Sequence, residues 1–149
     1  MRDYTKIKAW QLADDLTVEI YKSTKSFPKD EIYALTSQIR RAAYSVPANI
    51  TEGSSRNSHK DYLHFLYIAR GSLSETRYFV HLSERLGYFT KDQAQSLTKQ
   101  AEEVSKTLVG LIQAVEKEAN PISRTVAKLS SLIVLSAVGS AVCSLRSAV

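Results

Sequence analysis

Ala94, Leu97, Ala101, Val104, Leu108, Leu111 and Val115 step by 3, 4, 3, 4, 3 and 4 residues, and no other feature constrains the chain as tightly. An apolar position about every 3.5 residues lays one continuous stripe along a helix, here about 30 Å long at a rise of roughly 1.5 Å per residue. A stripe of that length is stable in water only when other helices cover it. The same chain supplies three more.

Tyr62, Leu66, Ala69, Leu73, Thr76 and Val80 form a second seam, widened by Phe65, Phe79, Leu82 and Leu86. Ile32, Leu35, Ile39, Ala42, Val46 and Ile50 form a third, and Ile7, Trp10, Leu16, Ile20 and Tyr21 a fourth, with Asp14, Asp15, Glu19, Lys22 and Lys25 between them. Nothing in this part of the chain reads as a strand. Boundary signals separate the four. Pro28 ends the first helix and Asp30 is placed to cap the second; Ser58 and Asp61 in "GSSRNSHKD" make a capping box for the third. Gly87 stops that helix and Thr90 caps the fourth. The short connections force neighbouring helices to run antiparallel. The expected fold is therefore all-α, an up-down-up-down four-helix bundle spanning residues 1–119 as one domain.

The segment "SVPANITEGSSR", residues 45–56, places Pro47 inside the second seam without breaking its phase. Proline removes a backbone donor and crowds the carbonyl four residues earlier, so a kink at Pro47, or a restart of the helix there, is expected. Either way the Ala43 carbonyl needs another partner. Asn49 and Glu52 lie one to two turns on, and Gly53 permits a close approach or a left-handed stop. Glu52 and Glu75 both fall near apolar positions, where a lone carboxylate is costly. A structural polar network of Asn49, Glu52 and Glu75 with Arg40 or Arg41 is expected in preference to acid–base catalysis.

Residues 120–149 read as a separate extension. "LSSLIVLSAVGSAVCSL" carries no charge and is rich in serine. Its apolar run sits at the lower limit for spanning a bilayer, with Gly139 and the serines weakening it further. A fifth helix on the bundle or on a partner subunit, a disordered extension and a membrane-associated segment are the alternatives for this tail.

Several chemistries find no support. Bundles that hold two iron ions use inward carboxylates with Glu-x-x-His pairs, and no glutamate here has a histidine three residues later. The single Cys143, three dispersed histidines and the lack of a phosphate-binding glycine loop point to no metal, no cofactor and no enzyme. One cysteine and no leader-like start predict a reducing, cytoplasmic setting.

Charge offers one positive clue. Of 20 basic and 15 acidic residues, Arg124, Lys128 and Arg146 lie in the tail, which leaves the body with a net charge of only +2. The body is therefore not a general polyanion binder, and local placement decides. Lys60, His64, Tyr67, Arg70, Ser74, Arg77 and His81 recur every three or four residues and line one face of the third helix. Basic groups interleaved with an aromatic suit phosphates and a stacked base. Arg40 and Arg41 before the proline, and Arg56 after it, extend the candidate nucleic-acid contacts, set against ordinary ion pairing on a solvated helix face.

Trp10 and its helix, "FPKDEIYALTSQIRRAAYSVPANITEGSSR", "YLHFLYIARGSLSE" and "LGY" occur together in one order. In these pieces the chain resembles the four-helix-bundle proteins encoded in bacterial 23S rRNA intervening sequences, over about residues 3–118. The resemblance implies an antiparallel bundle that associates as a homo-pentamer with a basic surface, and it implies no catalytic activity. It also implies kinship with the accessory variability determinant proteins of diversity-generating retroelements, which bind a reverse transcriptase and template RNA. The tail is not part of the family pattern. The function expected is a non-enzymatic oligomeric scaffold for RNA or a ribonucleoprotein, with an accessory subunit of a retroelement reverse transcriptase as the alternative.

Overall fold

The computed structural model describes residues 2–120, and the expectations for the tail fall outside them. Four helices carry the four seams: α1 (Lys8–Ser23), α2 (Leu35–Ser54), α3 (His59–Arg85) and α4 (Lys91–Ala119), and the described residues contain no strand. One unit, Met1–Val115, contains the whole described core.

The core is the union of the seams. Leu16 and Ile20 from α1, Ile39, Val46 and Ile50 from α2, Tyr62, Leu66 and Val80 from α3, and Val104 and Leu108 from α4 are each almost fully excluded from solvent. All six seam positions of α3 are buried, with Ser83 extending the line. Tyr21 of the first helix and Leu86 at the end of the third are 41% and 50% exposed and lie outside the core, and two further expectations need correction. In α4 the buried set ends with Ile112 and Val115, and Leu111 is only partly covered. A straight helix turns once per 3.6 residues, so a strict 3-4 alternation drifts by about 20° per heptad, and a step of four restores the facing position. In the second segment Ile32 is 50% exposed, because Lys29–Glu31 is a 3-10 turn and α2 begins at Leu35. Asp30 does not cap it. The Glu31 carboxylate accepts the Leu35 N–H at 3.0 Å instead, satisfying one of the orphan donors at the helix start.

The antiparallel pairing of α1 and α2 appears as a ladder of polar rungs. Near one end, Arg2 N–H donates to the Ser54 carbonyl (3.2 Å) and Trp10 Nε1 donates to Thr51 Oγ1 (2.9 Å). Midway, Thr17 Oγ1 donates to the Ala43 carbonyl (3.1 Å), and at the far end Arg40 Nε donates to Thr24 Oγ1 (2.8 Å). The third rung answers the question raised by the proline. α2 runs through Pro47 as one helix, and the carbonyl that Pro47 leaves without its usual donor is served from α1 by Thr17.

At Gly53 α2 approaches α3 closely. A Cβ at this position would lie 2.8 Å from Tyr62 Cδ2 and 2.9 Å from Phe65 Cβ, so its role is close approach within the helix, not a left-handed stop. The caps of the later helices form as expected. Ser58 Oγ accepts from Asp61 N–H at 3.0 Å and donates to the Asp61 carboxylate at 2.7 Å. Thr90 and Gln93 exchange reciprocal backbone-to-side-chain bonds at 2.9 and 3.2 Å.

Gly87, with φ of 75°, turns the chain after α3 in the left-handed conformation that side chains disfavour. The turn delivers Tyr88 and Phe89 onto Phe27 from the α1–α2 connection, with ring centroids 5.3 and 4.9 Å apart. Tyr88 OH donates to Glu31 Oε1 at 3.0 Å, so one carboxylate closes both the start of α2 and this end of the bundle.

Candidate nucleic-acid interface

The buried line of α3 fixes what the helix shows to water. With Tyr62, Leu66, Ala69, Leu73, Thr76 and Val80 facing the core, the 3.6-residue period turns Lys60, His64, Tyr67, Arg70, Ser74, Arg77 and His81 outward, and all seven are exposed. The ion pairs Lys6–Asp3, Lys22–Glu19, Arg56–Glu52 and Lys106–Glu103 lie elsewhere on the surface. Among the described residues, Lys60, Arg70 and Arg77 take part in no ion pair. No ion pair of Arg70 or Arg77 with Glu75 or Glu84 forms among the described residues, and both cations stand in solvent. Arg70, itself exposed, lies 4.9 Å over the Tyr67 ring, which holds the guanidinium against an aromatic face.

The other proposed cations separate into two kinds. Arg56 pairs with Glu52 one turn earlier and lies 5.0 Å over Phe65, which His64 meets edge-on at 5.7 Å. That group extends the stripe toward the start of α3. Arg40 is tied down on the α1 side, bonded to Thr24 and 4.9 Å over Tyr21. It acts as a packing residue between α1 and α2. Arg41 lines a groove of about 360 Å³ between α2 and α3, together with Asn49 and Glu75.

The residues of the expected polar network are thus placed in two different settings. Asn49 Nδ2 donates to the Ser45 carbonyl (2.7 Å) and shares the groove with Glu75 and Arg41, while Glu52 is an exposed partner of Arg56. On the opposite flank of α3, Ser74, Arg77, Tyr78, His81 and Glu84 face Thr98 of α4 across a groove of about 370 Å³. The spacing does not single out Tyr78 or Thr98, and it offers Glu84 only as an ion partner for the arginines. Tyr78 follows Arg77 directly and lies four residues after Ser74, a signal available only once the α4 neighbour is known.

Among the described residues no group of three or more His, Cys, Asp or Glu side chains could hold a metal ion. No described helix is long and apolar enough to cross a membrane. The Glu103–Lys106 pair on α4 shifts both groups, the carboxyl below and the ammonium above their ordinary values, because each hydrogen-bonds the other at 2.7 Å.

The model of the 23S rRNA-intervening sequence protein family matches residues 5–110, which span α1, α2, α3 and most of α4. The chain belongs to that family. Among solved structures, a protein of unknown function from the S23 ribosomal protein family of Bacteroides thetaiotaomicron VPI-5482 is similar to this 23S rRNA-intervening sequence protein, at 28% identity and a TM-score of 0.65. The match covers 70% of this chain and 97% of that one. No curated protein matches it. The matched region contains Trp10 and its rung to Thr51, Pro47 with its Thr17 support, and the whole α3 stripe.

Proposed function

We propose that this family member is a non-enzymatic scaffold that binds RNA, alone or within a ribonucleoprotein, through the exposed face of α3. One observation carries the reading: Lys60, Arg70 and Arg77 lie on one face of a single helix without ion-pair partners among the described residues, beside the Tyr67 and Phe65 rings that Arg70 and Arg56 cover. Guanidinium forks match phosphate oxygens, and an exposed ring such as Tyr67 at the same face suits stacking with an unpaired base. The body's net charge of +2 makes a single stripe a weak binder, which suits a homo-oligomer, a pentamer by resemblance to the family, that repeats the stripe and gains affinity by multivalency.

The test is RNA affinity of the R70E/R77E variant, measured at several salt concentrations beside far-UV circular dichroism and native mass. Loss of binding to structured RNA with helicity and mass unchanged is expected. Each phosphate contact contributes roughly 0.7 to 0.9 to the slope of log affinity against log salt, so removing two should flatten it by about 1.5. Unchanged affinity and slope would overturn the reading and favour a protein-contact role for this face, such as an accessory subunit of a reverse transcriptase. Native mass of the wild-type chain at five times 16.6 kDa is the result expected for the pentamer.

A further inference from the structure

The groove between α3 and α4 gathers side chains of four different chemistries. Arg77 supplies a cation, Glu84 a carboxylate, Thr98 and Ser74 hydroxyls, and Tyr78 and His81 rings. Ser74 Oγ donates to the Arg70 carbonyl across a long 3.2 Å bond, and Tyr78 touches Phe79 by its ring alone, at 5.5 Å. Arg77, His81, Glu84 and Thr98 have no side-chain partner among the described residues. In particular Arg77 and Glu84 line one groove without pairing to each other. Opposite charges held apart at a shared cleft are satisfied together by a ligand that carries an anion at one end and hydroxyl donors at the other.

We infer that this groove is a seat for a single nucleotide. Its phosphate meets the Arg77 guanidinium and the Thr98 hydroxyl, joined by the Ser74 hydroxyl as it turns from the Arg70 carbonyl, so that a bidentate fork and neutral donors complement three oxygens. Glu84 accepts from the ribose hydroxyls, a task for which a carboxylate is suited because it offers only acceptors. Tyr78, 58% exposed, and His81 present ring faces for the base. The cleft, about 370 Å³, lies within the size range of small-ligand sites. Arg77 also lines the adjoining groove of about 460 Å³ with Glu102, Ser105 and Lys106, so a chain can continue from the seated nucleotide along α4. The inference deepens the RNA-face reading, since Arg77 belongs to both, and it assigns the α3–α4 flank to one nucleotide of the bound strand.

The probes are adenosine 5′-monophosphate, adenosine and inorganic phosphate, titrated separately into the full chain with amide chemical shifts as readout. The monophosphate should bind at least about tenfold tighter than adenosine or phosphate, and Arg77→Gln should weaken it by about tenfold or more, the loss of a charge-assisted pair. Thr98→Val, which lies off the stripe, should weaken it less but measurably. Glu84→Gln should lower affinity for the monophosphate and leave its 2′,3′-dideoxy analogue unaffected. Equal binding of phosphate and monophosphate, or monophosphate affinity indifferent to both Arg77→Gln and Thr98→Val, overturns the seat. The K60E/R70E variant separates the two ideas. It should lose RNA and keep the monophosphate; if it keeps both, the face reading falls while the seat stands.

Discussion

Thr17 and Pro47 are coupled through one atom, the Ala43 carbonyl oxygen, and a double-mutant cycle reads that coupling. In the wild type the single Thr17 Oγ1 proton is shared between that oxygen, at 3.1 Å, and the Ala13 carbonyl one turn back in α1, at 2.8 Å. Thr17→Val keeps the branched shape and removes the donor. The Ala13 carbonyl keeps its intrahelical partner, the backbone N–H of Thr17, but the Ala43 carbonyl has none, because residue 47 is proline. Thr17, Ala43 and Pro47 are all buried, so water does not substitute. Leaving a buried acceptor unsatisfied costs about 1 to 3 kcal/mol. For a chain of this size that is a fall of roughly 3 to 10 °C in Tm. In a Pro47→Ala background the new N–H at position 47 restores the bond to Ala43, and Thr17→Val should then cost less than about 1 kcal/mol. The expected coupling is therefore about 1 to 2 kcal/mol, within the range found for residues sharing a partner. Urea unfolding followed by far-UV circular dichroism, at one fixed protein concentration because association shifts apparent stability, measures all four corners. If the two substitutions add to within about 0.5 kcal/mol, the carbonyl is not the link and the account of how this helix tolerates its proline is wrong.

Two glycines in helices should respond with opposite signs. Gly53→Ala drives a methyl to within 2.9 Å of Tyr62 and Phe65, an overpacking cost of about 1 to 3 kcal/mol, whereas at the exposed Gly71 nothing lies within 4 Å and Ala should stabilise by roughly 0.5 to 1 kcal/mol. Equal effects at the two sites in the same urea assay would contradict the close α2–α3 approach. Tyr88 predicts an alkaline limb: its hydroxyl is raised above the ordinary value of 10.0, first because it donates to the Glu31 carboxylate. A group raised on folding contributes stability that is full below its unfolded value and is lost as pH rises through the folded one. Wild-type stability should therefore fall above about pH 10 more steeply than that of Tyr88→Phe; parallel curves would remove the Glu31 bond from the account. Trp10→Phe should leave Thr51 Oγ1 without its 2.9 Å donor and open the α1–α2 end, seen as faster amide exchange at Arg2, whose N–H donates to the Ser54 carbonyl beside it; unchanged exchange would decouple the two rungs.

What the residue string reveals depends on whether a feature is periodic or relational. The seams of α1 to α4 are periodic, and the helix period alone places Tyr62, Leu66, Ala69, Leu73, Thr76 and Val80 inside and the Lys60 to His81 stripe outside. The same logic fails at Leu111 and Ile112, because both residues are apolar and only the accumulated phase of the helix chooses between them. At the start of α2 it fails differently. Asp30 has the better local signature for a cap, yet it is Glu31 that caps, with its other oxygen held by Tyr88, 57 residues away. Pro47 shows how far a one-chain reading reaches: the need of the Ala43 carbonyl follows from the chemistry of proline, but that Thr17 meets it depends on the register of α1 against α2. The same boundary runs through the candidate site. Exposure of Arg70 and Arg77 is legible in the spacing, whereas their lack of acidic partners among the described residues, and the meeting of Arg77 with Thr98 across the α3–α4 groove, depend on which helix lies beside which. It follows that substitutions at Lys60 and Arg70 test the stripe alone, and that pairs taken from both sides of an interhelical groove, such as Arg77 with Thr98, test the assembled surface.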